Sequence, residues 1–189
     1  FIKGDDSPGS AGAIMESMLR ANILGRTQPC GPTYICLDVA LQQRPLDGEP
    51  RLPDPARFAP PVAPEPPAAE IARAADLLVA AKKPVIMAGR VSRSQADWDR
   101  RIRLAELLGA SVATDLKTAA AFPTDHKLHV GIPGVHFRVP QKEAVRDSDV
   151  VLALDWIDLG GILNFIYDGG EVAAKIIHCQ VDSYVHNGW

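Results

Sequence analysis

Four short apolar runs, separated by helical or loop stretches, constrain what this chain can fold into more than any other feature. They comprise Pro84 to Gly89, Ala110 to Thr114, Asp149 to Asp155 and Ala174 to Asp182. Each run is nearly continuous in apolar residues, whereas a strand with one solvent-exposed face would alternate apolar and polar residues. The runs therefore predict strands buried on both faces of a doubly wound parallel sheet, an α/β fold.

Helical patterns lie between the runs. Ala68 to Lys82 carries an apolar face, and Ser94 with Asp97 has the spacing of a capping box at the start of a helix that Gly109 ends. Shorter helices are predicted at Pro140 to Arg146 and at Leu159 to Tyr167. In such folds ligands bind at the carboxyl ends of the strands, so the residues after each run are the candidates for function.

Composition excludes several classes of protein. A chain of 189 residues that is 47% hydrophobic can bury a core, and its net charge of −3 gives no basic excess for nucleic acid or an anionic membrane. No apolar stretch approaches the roughly 20 residues that span a bilayer. Three cysteines without a CxxC pair indicate a reducing cytoplasm, and we expect Cys36 and Cys179, in strand-like runs, to be buried and inert.

The first part of the chain predicts a helix from Ser10 to Leu24, stopped by Gly25, and a strand from Thr33 to Val39. Because one helix and one strand cannot bury a core alone, residues 1–44 are either the remnant of a second α/β domain or an addition to the following sheet. Nine of the sixteen prolines then define a linker at 45–67, and 68–189 form the main domain. The ends of the sequence suggest a piece of a longer polypeptide.

Two candidate site residues, Gly89 and Arg90, follow the first run. A glycine at a strand end allows a phosphate to approach the backbone, although a tight turn with a solvated arginine explains the pair equally. Lys117 follows the second run and is either a phosphate ligand or a solvated loop residue. Asp155 and Asp182 end the third and fourth runs, where carboxylates accept hydrogen bonds from ribose hydroxyls or cap the next element.

Catalytic and metal motifs are missing from the sequence. His126 and His129 form an HxxH pair, but Pro123 breaks the helix that would align them and no suitably spaced carboxylate pair accompanies them. No nucleophile elbow or Walker loop is present. We therefore assign no catalytic residue and no metal ligand.

Several segments resemble one enzyme family in the same order along the chain. The segment from Lys3 through GPTYICLDVALQ is similar to the end of the pyrimidine-binding domain of thiamine-diphosphate enzymes related to acetolactate synthase and benzoylformate decarboxylase. KKPVIMAGR, LAELLGASVATDLKTAAAFPTDH, VRDSDVVLALD and AKIIHCQVD resemble the Rossmann-like central domain of those enzymes. Together these segments cover nearly the whole chain.

The resemblance implies a three-domain subunit whose other domains bind thiamine diphosphate and Mg²⁺. It also implies a homodimer or homotetramer, because the active site of such enzymes forms between subunits. The thiazolium of the cofactor stabilises a carbanion, so the intact enzyme would decarboxylate or ligate a 2-oxo acid. The portion in this chain would be structural and oligomerising.

The central domain of some relatives holds FAD, and the sequence departs from their pattern. Acetolactate synthases resemble MGLGAFP where this chain has KTAAAFP, so Thr118 and Ala120 stand at glycine positions. The relatives also show GxRFDD where this chain has Asp155-Trp156-Ile157-Asp158. These differences disfavour FAD and favour a domain without a cofactor, with FAD or another nucleotide as alternatives. A rival hypothesis is a stand-alone nucleotide- or FAD-binding module without catalysis.

Overall fold

The computed structural model describes residues 2–46, 48–134 and 136–182. The chain forms two compact units, residues 1–65 and 66–189, whose boundary lies within the proline-rich segment. The assignment of 1–44, 45–67 and 68–189 to a remnant, a linker and a main domain stays a prediction. Within the described residues no helix is both long and apolar enough to cross a bilayer.

The first unit contains a strand–helix–strand arrangement. β1 (Gly4–Asp6) pairs in parallel with β2 (Thr33–Ile35), and α1 (Ala11–Arg26) connects them. α2 (Val39–Gln43) and a 3₁₀ helix (Pro55–Phe58) follow. The parallel pair with a crossover helix agrees with the predicted α/β character of this segment.

Two boundaries in the first unit differ from the sequence predictions. α1 continues through Gly25 and ends where the backbone N–H of Thr27 donates to Ile23 O (2.9 Å). Gly25 packs closely against the following loop, where a Cβ would lie 3.3 Å from Gly31 O. The strand predicted to reach Val39 stops at Ile35, because Asp38 caps α2 by accepting from Ala40 N at 2.8 Å.

The second unit is a four-stranded parallel sheet flanked by helices. Its strands are β3 (Pro84–Ala88), β4 (Ser111–Thr114), β5 (Val150–Leu154) and β6 (Lys175–Cys179), in the order β4-β3-β5-β6. The helices are α3 (Ala68–Ala80), α4 (Gln95–Leu108), α5 (Val139–Arg146) and α6 (Leu159–Ile166). The predicted doubly wound parallel sheet is confirmed, and its switch point lies between β3 and β5, where the strand order changes direction.

Alternate residues of β3 enter two separate hydrophobic cores. Val85 and Met87 belong to the core that includes α5 and α6 side chains, whereas Ile86 and Ala88 belong to the core that includes Leu78 of α3 and Ala105 of α4. Every residue of β3 is buried. The continuous apolar run is thus explained by two covered faces.

Local signals at α4 agree with the predictions. The hydroxyl of Ser94 accepts from Asp97 N at 3.2 Å and donates to the Asp97 carboxylate at 2.8 Å. Hydrogen bonds from Ser92 and Ser94, together with Arg100, lower the pKa of Asp97 to about 2. Gly109 adopts a left-handed conformation at φ 59° and ends the helix.

Two predictions of burial are wrong. β6, one of the two edge strands of the described sheet, is largely exposed, and Ile177 is its residue packed against a core. Cys36 and Cys179, predicted to be buried, are exposed, as is Cys30. Cys36 lies one residue beyond β2, and Cys179 lies on the exposed edge strand.

Asp149 joins the starts of the central strands β3 and β5. Its carboxylate accepts from the backbone N–H groups of Lys82 (2.6 Å) and Lys83 (3.0 Å). Its own carbonyl accepts from Lys175 N at 2.9 Å, at the start of β6. The hydrogen bond from Lys82 N–H is the main reason that the pKa of Asp149 lies below its ordinary value of 3.8.

Replacing Asp149 with Asn should therefore flatten the loss of stability in acid. A carboxylate with a lowered folded-state pKa stabilises the fold above about pH 4, and that contribution disappears as the pH falls through the lowered pKa. We expect Asp149→Asn to reduce the urea midpoint at pH 7 and to bring it closer to wild type at pH 3. Fluorescence of the tryptophans, all of which follow residue 66, reports this unit. Asp76→Asn, at an exposed position on α3, is the control, and an equal pH dependence in both variants would contradict the assignment.

Candidate functional site

The candidate site lies where β3, β5 and β6 end. Backbone hydrogen bonds extend the sheet past β3: Gly89 N donates to Leu154 O (2.9 Å) and Arg90 N donates to Asp155 O (3.0 Å). On the other side, Asp155 N donates to Cys179 O at 2.7 Å. These bonds align three of the predicted site residues, Gly89, Arg90 and Asp155, with the end of β6.

Gly89 is required by the contact between the two central strands. A Cβ at this position would lie 2.2 Å from Asp155 O and 2.8 Å from Trp156 Cα, closer than any side chain can approach. The neighbouring atoms belong to backbone, so no rotamer change relieves the clash. Close packing of β3 against β5 explains this glycine without a phosphate, and the phosphate role stays a prediction.

The guanidinium of Arg90 holds two carboxylates. Its terminal nitrogen contacts Asp155 Oδ1 at 3.0 Å and Asp182 Oδ2 at 3.2 Å, and the three side chains are 26%, 12% and 23% exposed. Burial acts to lower the pKa of Arg90, but the hydrogen bonds and charges of the two aspartates outweigh it and raise the pKa. We call Arg90, Asp155 and Asp182 the strand-end cluster, and its formal net charge is −1.

Asp155 adopts a strained backbone conformation. Its φ of 47° lies in the left-handed region, which costs a non-glycine residue on the order of 1 kcal/mol. After this turn Trp156 lies in the core, where it contacts Phe137 with ring centroids 5.5 Å apart. The cap of the next helix is Asp158, which accepts from Gly161 N at 3.0 Å, and not Asp155.

Lys117 is not brought into the strand-end cluster. It is exposed in a turn after β4, where its backbone N–H donates to Asp115 Oδ1 at 3.0 Å. β4 lies on the opposite side of β3 from β5 and β6. The structure therefore unites Gly89, Arg90, Asp155 and Asp182 and leaves Lys117 apart, and its role as a phosphate ligand stays a prediction.

The histidines of the HxxH pair are held by separate partners. His126 Nδ1 accepts from Leu128 N at 3.2 Å, and its Nε2 lies 3.4 Å from Glu106. His129 Nε2 lies 2.9 Å from the Thr114 hydroxyl, and burial lowers its pKa. Across the described ranges, no group of three or more His, Cys, Asp or Glu side chains could hold a metal ion.

His178 belongs to the surroundings of the strand-end cluster and was not predicted from the sequence. Burial lowers its pKa, while the negative charge of Asp155 partly opposes that shift. The sequence feature that could have indicated this residue is its position in the fourth apolar run, two residues before Gln180, where an imidazole interrupts apolar residues. Its imidazole is near enough to interact with the charge of Asp155.

The residues from 71 to 186 match the family model for the central domain of thiamine pyrophosphate enzymes. This match covers more than half of the chain. The chain belongs to the thiamine pyrophosphate enzyme family. Its parallel sheet and covering helices are the central domain of that family.

Relatives agree with this assignment. The chain is 37% identical over 114 residues to an acetolactate synthase from Mycobacterium avium, covering 60% of this chain and 18% of the relative. It is 31% identical over 175 residues to a "Probable acetolactate synthase large subunit" from Methanocaldococcus jannaschii, covering 89% of this chain and 29% of that one. The chain thus spans less than a third of these relatives.

A solved structure shares the fold. Benzoylformate decarboxylase from Polynucleobacter necessarius aligns with a TM-score of 0.64 and 20% identity, covering 97% of this chain and 34% of the other. The predicted resemblance to acetolactate synthase and benzoylformate decarboxylase is confirmed.

Gly89→Ala should destabilise the second unit by about 3 kcal/mol, because overpacking against backbone cannot be relieved by a rotamer change. Gly160→Ala in α6 is the matched control, since no heavy atom lies within 4 Å of the position that its methyl group would take. The control should be neutral or stabilising by up to about 1 kcal/mol. Urea unfolding followed by tryptophan fluorescence measures both, and equal losses would contradict the close-contact explanation.

Arg90→Met should lower stability by about 1–3 kcal/mol at pH 7, because two carboxylates remain together without their cation. Arg90→Lys should recover part of the loss by restoring the charge. Urea unfolding measures both variants, and equal losses in the two would indicate lost packing instead of lost charge pairing.

Proposed function

We propose that this chain works as the central domain of a thiamine-diphosphate-dependent enzyme that decarboxylates or ligates 2-oxo acids, as a lyase or transferase. The observation that carries the proposal is the match of residues 71–186 to the central domain of that family. The acetolactate synthase relatives and the fold of benzoylformate decarboxylase support the same chemistry. When bound, thiamine diphosphate supplies a thiazolium that stabilises a carbanion on the substrate.

We further propose that the described residues serve a structural and oligomerising role. The cation of the strand-end cluster is paired with groups of the same chain, since Arg90 binds Asp155 and Asp182. No candidate Mg²⁺ cluster occurs in the ranges that the structure describes. As the family resemblance implies, thiamine diphosphate and Mg²⁺ would be bound by other domains of the intact enzyme, a cytoplasmic homodimer or homotetramer.

The residues at the carboxyl ends of the strands do not fit FAD. The strand-end cluster has a formal net charge of −1, which disfavours a diphosphate, and one terminal nitrogen of its guanidinium binds both carboxylates. Ala120 has φ 54°, a conformation that glycine favours, yet it carries a methyl group where the acetolactate synthase pattern has glycine. These observations support a central domain that works without a flavin or another nucleotide.

The proposal is tested on the product of the complete reading frame that contains this sequence. Intact mass establishes its length, and titration with thiamine diphosphate and Mg²⁺ establishes binding. Turnover of pyruvate and benzoylformate, followed by CO₂ release and product analysis, then separates decarboxylation from ligation. We expect saturable cofactor binding, 2-oxo acid turnover and no flavin band in the visible spectrum.

The 189-residue chain alone is the matched control. We expect it to fold without binding thiamine diphosphate and to bind neither FAD nor ATP. Tight nucleotide binding by this chain, together with no thiamine diphosphate binding by the complete product, would instead favour the stand-alone nucleotide module.

A further inference from the structure

The HxxH pair lies in the long connection between β4 and α5. Residues 115–138 contain no helix in the part that the structure describes, and a single bridge joins His129 to Val112 of β4. Connections of this length without regular structure are uncommon in compact domains and are usually functional. This one begins at the carboxyl end of β4, the edge at which ligands bind in doubly wound folds. We call residues 115–130 the return segment, because they turn back and pair with β4.

The return segment is attached to β4 by two backbone hydrogen bonds. Val112 N donates to Leu128 O at 2.8 Å, and Val130 N donates to Val112 O at 2.9 Å. An element held by few backbone hydrogen bonds opens locally at a lower free energy than the centre of a sheet. The attachment of this segment therefore depends on the side chains that accompany these two bonds.

Both histidines of the pair contact the same buried side chain. Phe122 is 4% exposed and belongs to the core that includes Ile86 and Leu152. The ring of His126 meets the Phe122 ring edge to face, with centroids 5.2 Å apart, and the ring of His129 is stacked on it at 6.4 Å. The two imidazoles therefore pack against a residue of the hydrophobic core.

The two imidazoles differ in what could balance a positive charge. His126 Nε2 lies 3.4 Å from a carboxylate oxygen of Glu106, so a proton on this ring would face a negative charge. His129 Nε2 lies 2.9 Å from the hydroxyl of Thr114, which is buried and carries no charge. Within the described ranges, no ion pair involves His129, and burial is the cause of its pKa shift.

The other groups around the return segment do not balance a charge on His129 either. The second charged group that contacts the segment from α4 is a cation, Arg101, whose Nε donates to Ala121 O at 2.9 Å. The stacked ring of Phe122, at 6.4 Å, lies beyond the roughly 6 Å at which a cation–π interaction is effective. A proton on His129 would therefore create a half-buried charge without a counter-charge among the described residues.

We propose that protonation of His129 in mild acid detaches the return segment from β4. The neutral ring packs against Phe122 and keeps its hydrogen bond to Thr114, whereas the charged ring is better solvated in water. Leu128 and Val130, on either side of this histidine, form the two backbone hydrogen bonds to β4, so both bonds are lost when the ring leaves. Detachment exposes Phe122 at the edge of the sheet where ligands bind in such folds.

The sign of the pH dependence follows from burial. Burial lowers the pKa of His129 from its ordinary value of 6.5, because the charged form loses solvation. As the pH falls below about 6.5, the detached segment takes up the proton before the attached one does. The attachment is therefore most stable near neutral pH and weakens as the solution is acidified.

The test measures hydrogen–deuterium exchange of the full chain at about pH 7.5 and about pH 5, corrected for the intrinsic effect of pH on exchange. We expect the return segment, and the Val112 N–H that bonds to it, to lose protection at the lower pH while β3 and β5 keep theirs. His129→Gln should abolish this loss, because the amide can still bond to Thr114 but gains no charge. Between the same two pH values, this variant should lose fewer degrees of melting temperature than wild type.

His136→Gln is the matched control, because this exposed histidine lies in the same connection but outside the return segment. It should keep the wild-type response to pH. His178, whose pKa is also lowered by burial, is present in all three proteins, so its titration cancels in the comparison. Full protection of the return segment at about pH 5, a loss spread evenly over the second unit, or equal responses of the two variants would overturn the proposal.

The wild-type chain alone decides the question if His129→Gln does not fold. A loss of protection confined to the return segment and its bond to β4 supports the proposal. An even loss over the second unit, or no loss, contradicts it.

Discussion

The contact between the ends of β3 and β5 is the constraint on which the second unit depends. Gly89 approaches the Asp155 carbonyl so closely that no side chain fits, and two backbone hydrogen bonds continue the sheet across that point. At the opposite end of the same strands, Asp149 receives the N–H groups of Lys82 and Lys83. The central strand pair is thus fixed at both ends, and the flanking strands add to it.

The same constraint shapes the candidate site. Because Asp155 turns at φ 47° immediately after β5, its carboxylate lies beside Arg90, and Asp182 joins from beyond β6. The ends of β3, β5 and β6 each supply one charged residue, and these residues form ion pairs with one another. At this edge, where ligands bind in doubly wound folds, the charged side chains form an internal ion-pair cluster.

The sequence was sufficient to predict the fold type and several local features, because these depend on short-range patterns. Continuous apolar runs predicted β3, β4 and β5, and the Ser94–Asp97 pair predicted the start of α4. Burial of β6 was predicted wrongly because the covering of an edge strand depends on contacts distant in sequence. β4, the other edge strand, is mostly buried, and Val112 N donates to Leu128 O of the segment that runs beside it. Gly25 was taken as a stop signal, although its close contact with Gly31 lies across the loop that follows α1.

Strand order likewise limited the prediction of the site. We chose five candidate residues because each follows a predicted strand: Gly89, Arg90, Asp155, Asp182 and Lys117. The first four lie together at the ends of β3, β5 and β6. Lys117 stays apart because β4 lies on the far side of β3. The pairing of Arg90 with two aspartates depends on contacts distant in sequence that spacing cannot reveal.

The alternation of β3 between two cores separates the unit into independent layers. Met87 packs with Val151 and Ile166 on one side of the sheet, while Ile86 packs with Ala105 and Leu152 on the other. Since the backbone of the sheet lies between them, substitutions on the two sides that lie more than about 7–10 Å apart should combine additively, whereas neighbours on β3 share one backbone and should not. Each layer can therefore change its side chains most independently at positions remote from this shared strand.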